Sequence, residues 1–244
     1  MSNCQTNNED WNIKTGDMIQ TYIIMRNIHP QHAIDFGLDG CICGNCIHRK
    51  RRKRHTRTAK IKDVRTCYVN IGKGTSAVWE SFQKGNIPIV SSSVAATIQL
   101  VAGKKTRIGT YGDPVAVPFP IWGDMLRYSI AHTGYTHQWR MPIAQSFRGV
   151  LQASCDSYID RWEAKEAGWG TFLVRPHDGY VDKRHTAYAR GAKQCPSDPF
   201  INEMRAYRGM LPMHSTCDGC PASLRCDGDS DIVIRAHGTA ALWV

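Results

Sequence analysis

No stretch of this sequence is apolar enough to cross a bilayer as a helix. Its most apolar window, Ile87 to Ala102, is broken by Ser91-Ser92-Ser93 and Thr97, and falls short of the roughly 20 apolar residues a membrane helix needs. The opening residues, Met1 to Asp10, are polar and acidic and lack the apolar core of a secretory signal. Acidic residues are scarce. Against 31 Lys and Arg there are 21 Asp and Glu, a formal charge of +10, which favours a polyanionic partner such as nucleic acid. No internal repeat is visible. The Cys-x3-Cys-x2-Cys spacing of iron–sulfur radical enzymes is missing too, which counts against that class.

What the chain does have is cysteine, 10 in 244 residues. Without a signal core, a reducing cytoplasm is the expected compartment, and clustered thiols there point to metal or catalysis rather than disulfides. One group lies near the C-terminus: Cys195, the pair Cys217-Asp218-Gly219-Cys220, and Cys226, with His237 close behind. Gly219 lets two thiolates reach one ion from a tight turn, and two further ligands complete a zinc shell. The competing reading is buried free thiols. A second group, Cys43 and Cys46 around Gly44 with Cys67, could hold a second zinc, completed by Cys41 or His48, or an iron–sulfur cluster with one iron open.

The length suits one large domain and is close to the about 250 residues of a single α/β barrel. Residues 1–17 read as a polar arm and 18–244 as one domain. Within it, residues 48–65 form a basic insertion: the run His48 to His55, continued by Arg57, Lys60, Lys62 and Arg65, reads as a solvated loop. Arg51 and Arg52 in it are candidate phosphate contacts, with a localisation tag or a solubilising loop as the alternatives.

Strand signals appear at Met18–Arg26, Ala33–Phe36, Cys67–Ile71, Thr106–Tyr111, Arg127–Ala131, Val150–Ser154, Thr171–Val174, Ala192–Cys195 and Asp231–Ala236. Helix signals appear at Ala77–Gln83, Pro120–Leu126 and Tyr158–Ala167, the last capped by Asp156 or Ser157 with Ile159, Trp162 and Ala167 roughly on one face. Counted from Ala33–Phe36, the strands number about eight. Their alternation with helical pieces predicts an α/β fold, an irregular (β/α)8 TIM-like barrel with Cys-rich metal-binding segments.

In such barrels chemistry sits at the carboxyl ends of the strands. Those ends here carry Asn70, Asp113, Tyr135-Thr136-His137, Asp156 and Arg175. Asp113 before Pro114 would serve equally as a turn former and Asp156 as a helix cap. Having both at βα junctions suggests a catalytic pair, one ionised and one acting as acid or base. Tyr135, His137, Trp139 and Arg140 are spaced to stack a base and grip its phosphate, unless Trp139 packs beneath the rim.

Several stretches together carry a family resemblance: Met18 to Ile23, Ile42 to Arg49, Cys67 to Asn70, Gly109 to Pro114, Thr133 to Trp139, Ala153 to Asp156, Cys195-Pro196 and Ala236-His237-Gly238. They resemble a family of small phage-encoded proteins linked to the DNA 7-deazaguanine transglycosylases of the DpdA type, relatives of tRNA-guanine transglycosylase. The resemblance runs from Met18 to Gly238 and departs from the family at the insertion Lys50 to Lys62. It implies exchange of guanine in DNA for a base such as preQ0 through a covalent Asp–sugar intermediate, protecting phage DNA from restriction in the host cytoplasm. It further implies Asp156 as nucleophile and Asp113 as acid/base or base reader, or the reverse. Cys217, Cys220 and Cys226 with His237 or Cys195 would be the ligands of a structural zinc. The alternatives from other classes are a non-catalytic zinc-stabilised DNA-binding protein and an iron–sulfur radical enzyme.

Overall fold

The computed structural model describes residues 16–55, 57–87, 94–175, 191–211, 216–217, 219–220, 226–236 and 241–243. Most of the polar arm and His237 lie outside these described residues.

Seven strands form one sheet in the order β1-β4-β5-β6-β7-β9-β8, and every pairing in it is parallel. These are β1 (Ile19–Tyr22), β4 (Lys105–Tyr111), β5 (Ala131–Thr136), β6 (Gln152–Cys155), β7 (Thr171–Arg175), β8 (Lys193–Gln194) and β9 (Ile232–Arg235). The central strands are short and buried, as β-branched and apolar runs covered on both faces should be. Gln152 to Cys155 and Ile232 to Ile234 are buried throughout. The protein is therefore a mixed α/β fold on a parallel sheet. From β4 to β7 the strands follow chain order, but β9 inserts between β7 and β8.

Helices α1 (Pro30–Asp35), α2 (Gly40–Cys43), α3 (Ser76–Gln83), α4 (Val94–Val101), α5 (Phe119–Tyr128), α6 (Tyr158–Glu166) and α7 (Pro199–Tyr207) fill the connections. The main core packs Ile108, Trp122, Phe147, Leu151, Trp169 and Leu173 between sheet and helices. A smaller core of Ile34, Ile42, Ile71 and Tyr111 seats the cysteine-bearing segment Cys41–Cys46 against the end of β4. Among the described residues no helix is long and apolar enough to cross a membrane.

The structure corrects several readings of the sequence, among them the buried face of α6, which carries Arg161 and Ala164 while Ile159 and Trp162 are exposed. Ala33–Phe36 falls largely in helix α1, because Pro30 presets its first turn and His29 Nδ1 accepts the amide of Gln31 at 3.2 Å. Cys67–Asn70 belongs to no strand, and Ile71 opens a π-helical turn, Ile71–Thr75, leading into α3. Arg127 and Tyr128 complete α5, so β5 starts only at Ala131. The basic insertion is a two-stranded antiparallel hairpin, β2 (Arg51–Arg54) with β3 (Ile61–Val64), in register Arg51↔Val64 to Arg54↔Ile61. Alternation explains how so charged a run can pair. Lys53 turns inward to donate to Thr66 Oγ1 at 2.8 Å, while Arg52 and Arg54 stay exposed.

Candidate active site

One cavity of about 210 Å³ opens at the carboxyl ends of the parallel strands. Asp113 and His137 line it after β4 and β5, Val174 and Ala236 at the ends of β7 and β9, and Cys195 after β8. Tyr68, Arg107, Tyr135 and the thiol-bearing Cys43, Cys46, Cys67 and Cys217 complete the wall. Strand-end residues of separate βα units thus converge on one space.

Two loops hold the near wall. Gly44 takes a positive φ of 54° in the Cys43–Cys46 turn, and a Cβ there would lie 2.5 Å from the Gln138 amide. Gln138 in turn bonds Cys43 O and Asn45 N at 3.1 and 3.2 Å. Arg49 ties the same turn down, donating to Asp39 Oδ1 at 2.7 Å and to Gly44 O at 3.2 Å. The turn is thus tied to Gln138 on one side and to Asp39, through Arg49, on the other.

Asp113 is buried and accepts three hydrogen bonds: from Val115 N at 3.0 Å, Thr136 Oγ1 at 2.8 Å and His137 N at 2.9 Å. It caps the turn Pro114–Ala116 and clamps the end of β5 at once. Burial pushes its carboxyl above the ordinary range, with the bonds from Thr136 and Val115 pulling the other way.

Asp156 has a different environment. Ser157 Oγ, not Asp156, accepts the Asp160 amide that starts α6, at 3.0 Å. The Asp156 carboxylate instead faces two imidazoles, His48 Nε2 at 2.7 Å and His137 Nε2 at 3.5 Å. Burial works against its charge, but the two imidazoles outweigh burial and hold the carboxyl well below its usual range. Burial likewise opposes an imidazolium at His137, yet Asp156 and the neighbouring Cys46 raise it well above the usual histidine value. His137 therefore joins the two carboxylates: Asp113 takes its backbone N–H and Asp156 faces its ring. Asp113 borders the cavity directly, whereas His48 and His137 are the lining residues nearest Asp156.

The other expected site residues divide. Tyr135 borders the cavity, with its ring against Phe172 at 4.3 Å between centroids. Trp139 is only 3% exposed and lies under the Arg140 guanidinium, 3.9 Å from the ring centre, so it packs beneath the rim and offers no free face. Arg140 is engaged by Asp160 and Glu163 at 2.6 and 2.5 Å. Asn70 caps the π-helical turn through Gly72 N at 3.0 Å. Arg175 lies at the end of β7, 3.9 Å from Asp198. Arg51 donates to Cys46 O at 2.6 Å, and Arg52 is exposed.

Cys217 and Cys220 lie near enough to Cys195 and Cys226 to perturb those two thiols. Burial first, then the neighbouring thiols, pushes Cys195 up to about 11 and raises Cys226 further. Cys43 is pushed up to about 12 by burial and by Cys67 and Cys46. Thiols are the donors a soft metal ion takes, but among the described residues the one set of three ligand atoms lying within 4.8 Å of one another is that of His48, His137 and Asp156, so neither cysteine group closes into a ligand shell.

Two site residues were not among those expected from sequence, and a third takes a different place. Arg107, from the middle of β4, is buried on the cavity wall and donates to the Tyr68 hydroxyl. An arginine between the strand residues Thr106 and Ile108 is the one signal available for it. Thr66 meets His48 at 2.8 Å across the base of the hairpin. His48, expected beside the Cys43–Cys46 thiols, faces Asp156 instead. No residue spacing announces this pairing, because it depends on a hairpin whose charge density reads as a solvated loop. No family model, curated protein or solved structure matches this chain.

Proposed function

We propose that the protein is a DNA-modifying transglycosylase that replaces guanine with a 7-deazaguanine base such as preQ0. The observation that carries this reading is the presence of Asp113 and Arg107 on one cavity at the strand ends. At about 210 Å³ the cavity is smaller than the roughly 300–1,000 Å³ of pockets for drug-sized ligands, a size suited to a single base. A guanidinium is the side chain most used to read the O6 and N7 edge of guanine. Tyr68, 56% exposed, offers a face for stacking.

Asp113 takes the part of nucleophile in this reading, because it borders the cavity while Asp156 lies beside His48 and His137. The Asp113 carboxylate attacks C1′, the C1′–N9 bond breaks, and its electron pair leaves with guanine, which gains a proton. The N9 of the incoming base then attacks C1′, loses its proton and releases the carboxylate. No phosphodiester bond is cut and nothing is oxidised. Flipping the base out of the stack costs a few kcal/mol, offset by stacking and by phosphate contacts from the hairpin.

The finer architecture belongs to the same proposal: an irregular (β/α)8 barrel, to which the parallel run β4 to β7 conforms and from which the β7-β9-β8 order departs. Cys195, Cys217, Cys220 and Cys226 would hold a structural zinc that braces the last strands. Modified DNA would resist restriction.

Covalent trapping tests the reading. Wild-type protein incubated with guanine-containing DNA and no incoming base should yield an adduct stable to denaturing electrophoresis. Asp113→Asn should abolish it while Asp156→Asn retains it. An adduct that survives in Asp113→Asn removes Asp113 from the role, and no adduct in any variant favours a DNA-binding protein without catalysis.

A further inference from the structure

We propose that His48, His137 and Asp156 form a binding site for a divalent transition-metal ion on the cavity wall, separate from the four-cysteine group. One ligand atom from each lies within 4.8 Å of the others. The three come from unrelated parts of the chain: the loop before the hairpin, the end of β5 and the end of β6. They are brought together by the fold, so no ligand spacing in the sequence announces them.

Three further features point to an ion. His137 Nε2 is buried and makes no hydrogen bond, and its 3.5 Å separation from Asp156 is longer than a good one. A buried ring nitrogen aimed at a carboxylate 3.5 Å away, too far for a good hydrogen bond, leaves the pair spaced as two ligands of one ion can be. His48 is oriented as metal-binding histidines are: its Nδ1 meets Thr66 Oγ1 at 2.8 Å, which fixes the ring and turns Nε2 toward Asp156. Cys46 lines the same cavity as His48 and His137, so a softer donor shares the wall with the group.

Two imidazoles and one carboxylate suit zinc or ferrous iron and leave coordination positions open. His48, His137 and Cys46 all line the cavity, so an open position would face whatever the cavity holds. The proposal goes beyond base exchange and does not rest on it. It leaves Asp113 outside the ligand set.

The test is metal content, read independently of activity. Full-length protein is stripped with a chelator, reloaded with excess Zn²⁺, desalted and analysed by mass spectrometry of the metal. Asp156→Asn and His137→Ala should each hold about one zinc fewer per chain than wild type, while Cys217→Ser with Cys220→Ser loses a different one. Thr66→Val should weaken the proposed site by about 10–100-fold while keeping its stoichiometry. If Asp156→Asn and His137→Ala melt like wild type yet retain all its zinc, the proposal is wrong. Should either variant fail to fold, X-ray absorption of zinc-loaded wild type decides. A nitrogen and oxygen shell at about 2.0–2.1 Å beside sulfur at about 2.3 Å supports the site, and a shell of sulfur alone overturns it.

Discussion

Asp113 and Asp156 stand at equivalent junctions in the chain, yet local donors give them different work. Asp113 is satisfied by two amides and a hydroxyl, so replacing it has two consequences. In Asp113→Asn an NH₂ group must face one of those donors, at a cost of about 1–3 kcal/mol for the buried group left unpaired. Urea unfolding should show that loss. Measured on the folded fraction, base exchange should fall at least about a thousandfold, as for removal of a nucleophile. Asp231 gives a residue-scale test of electrostatics away from the site. It accepts from Thr171 N at 3.1 Å and Thr171 Oγ1 at 2.7 Å, pairs with Lys165 and lies 3.5 Å from Arg161. Burial opposes its charge, but Lys165 and Thr171 outweigh that and lower its carboxyl. A carboxyl lowered on folding stabilises the protein above its unfolded value, and that contribution disappears as the pH falls through the folded value. Asp231→Asn should therefore cost about 2 kcal/mol at neutral pH. The gap to wild type should close as the pH drops below about 4, the ordinary carboxylate range.

At the scale of elements, close backbone approach sets where β7 can start. A Cβ at Gly170, just before β7, would overlap the carbonyl of Gly228, to which Gly170 N donates at 3.1 Å. Gly170→Ala should destabilise the fold by about 3 kcal/mol, read as a lowered melting temperature, because two backbones and not a flexible side chain must move. The same scale shows what the sequence made legible. β4, β6, β7 and β9 are readable within a residue or two, β7 and β9 from their short apolar runs and β4 and β6 from the turn residues that bound them. β5 was misplaced because Arg127-Tyr128 continues an amphipathic helix, and its own residues, Ala131 to Thr136, are small and polar. The hairpin was illegible for the opposite reason: charge density suggested solvent, while alternation, which governs pairing, lay beneath it. Helix α6 also turned over. Arg161 and Ala164 are buried, while Ile159 and Trp162 are exposed.

The whole molecule combines a formal charge of +10 with a hairpin whose arginines are exposed and whose flanking residues His48 and Thr66 line the cavity. If the hairpin anchors DNA, Arg52→Ala with Arg54→Ala should weaken binding at low salt. It should also flatten the dependence of log K on log salt by up to about 2, near 0.9 for each phosphate no longer neutralised. Fluorescence anisotropy across a salt series reads both effects, and an unchanged slope would place the DNA elsewhere. At this scale the site was half legible. Strand ends are where a parallel sheet gathers its polar residues, which brought Asp113, Tyr135 and His137 into view. What the hairpin base and mid-strand deliver, the His48–Thr66 pair facing Asp156 and the Arg107 guanidinium, became visible only with the fold. Incorporation of a radiolabelled 7-deazaguanine base into duplex DNA tests the central claim most directly. Wild-type protein should transfer label into intact DNA with release of an equal amount of guanine, and Asp113→Asn should transfer none. DNA that is bound by the wild-type protein but gains no label would contradict the account.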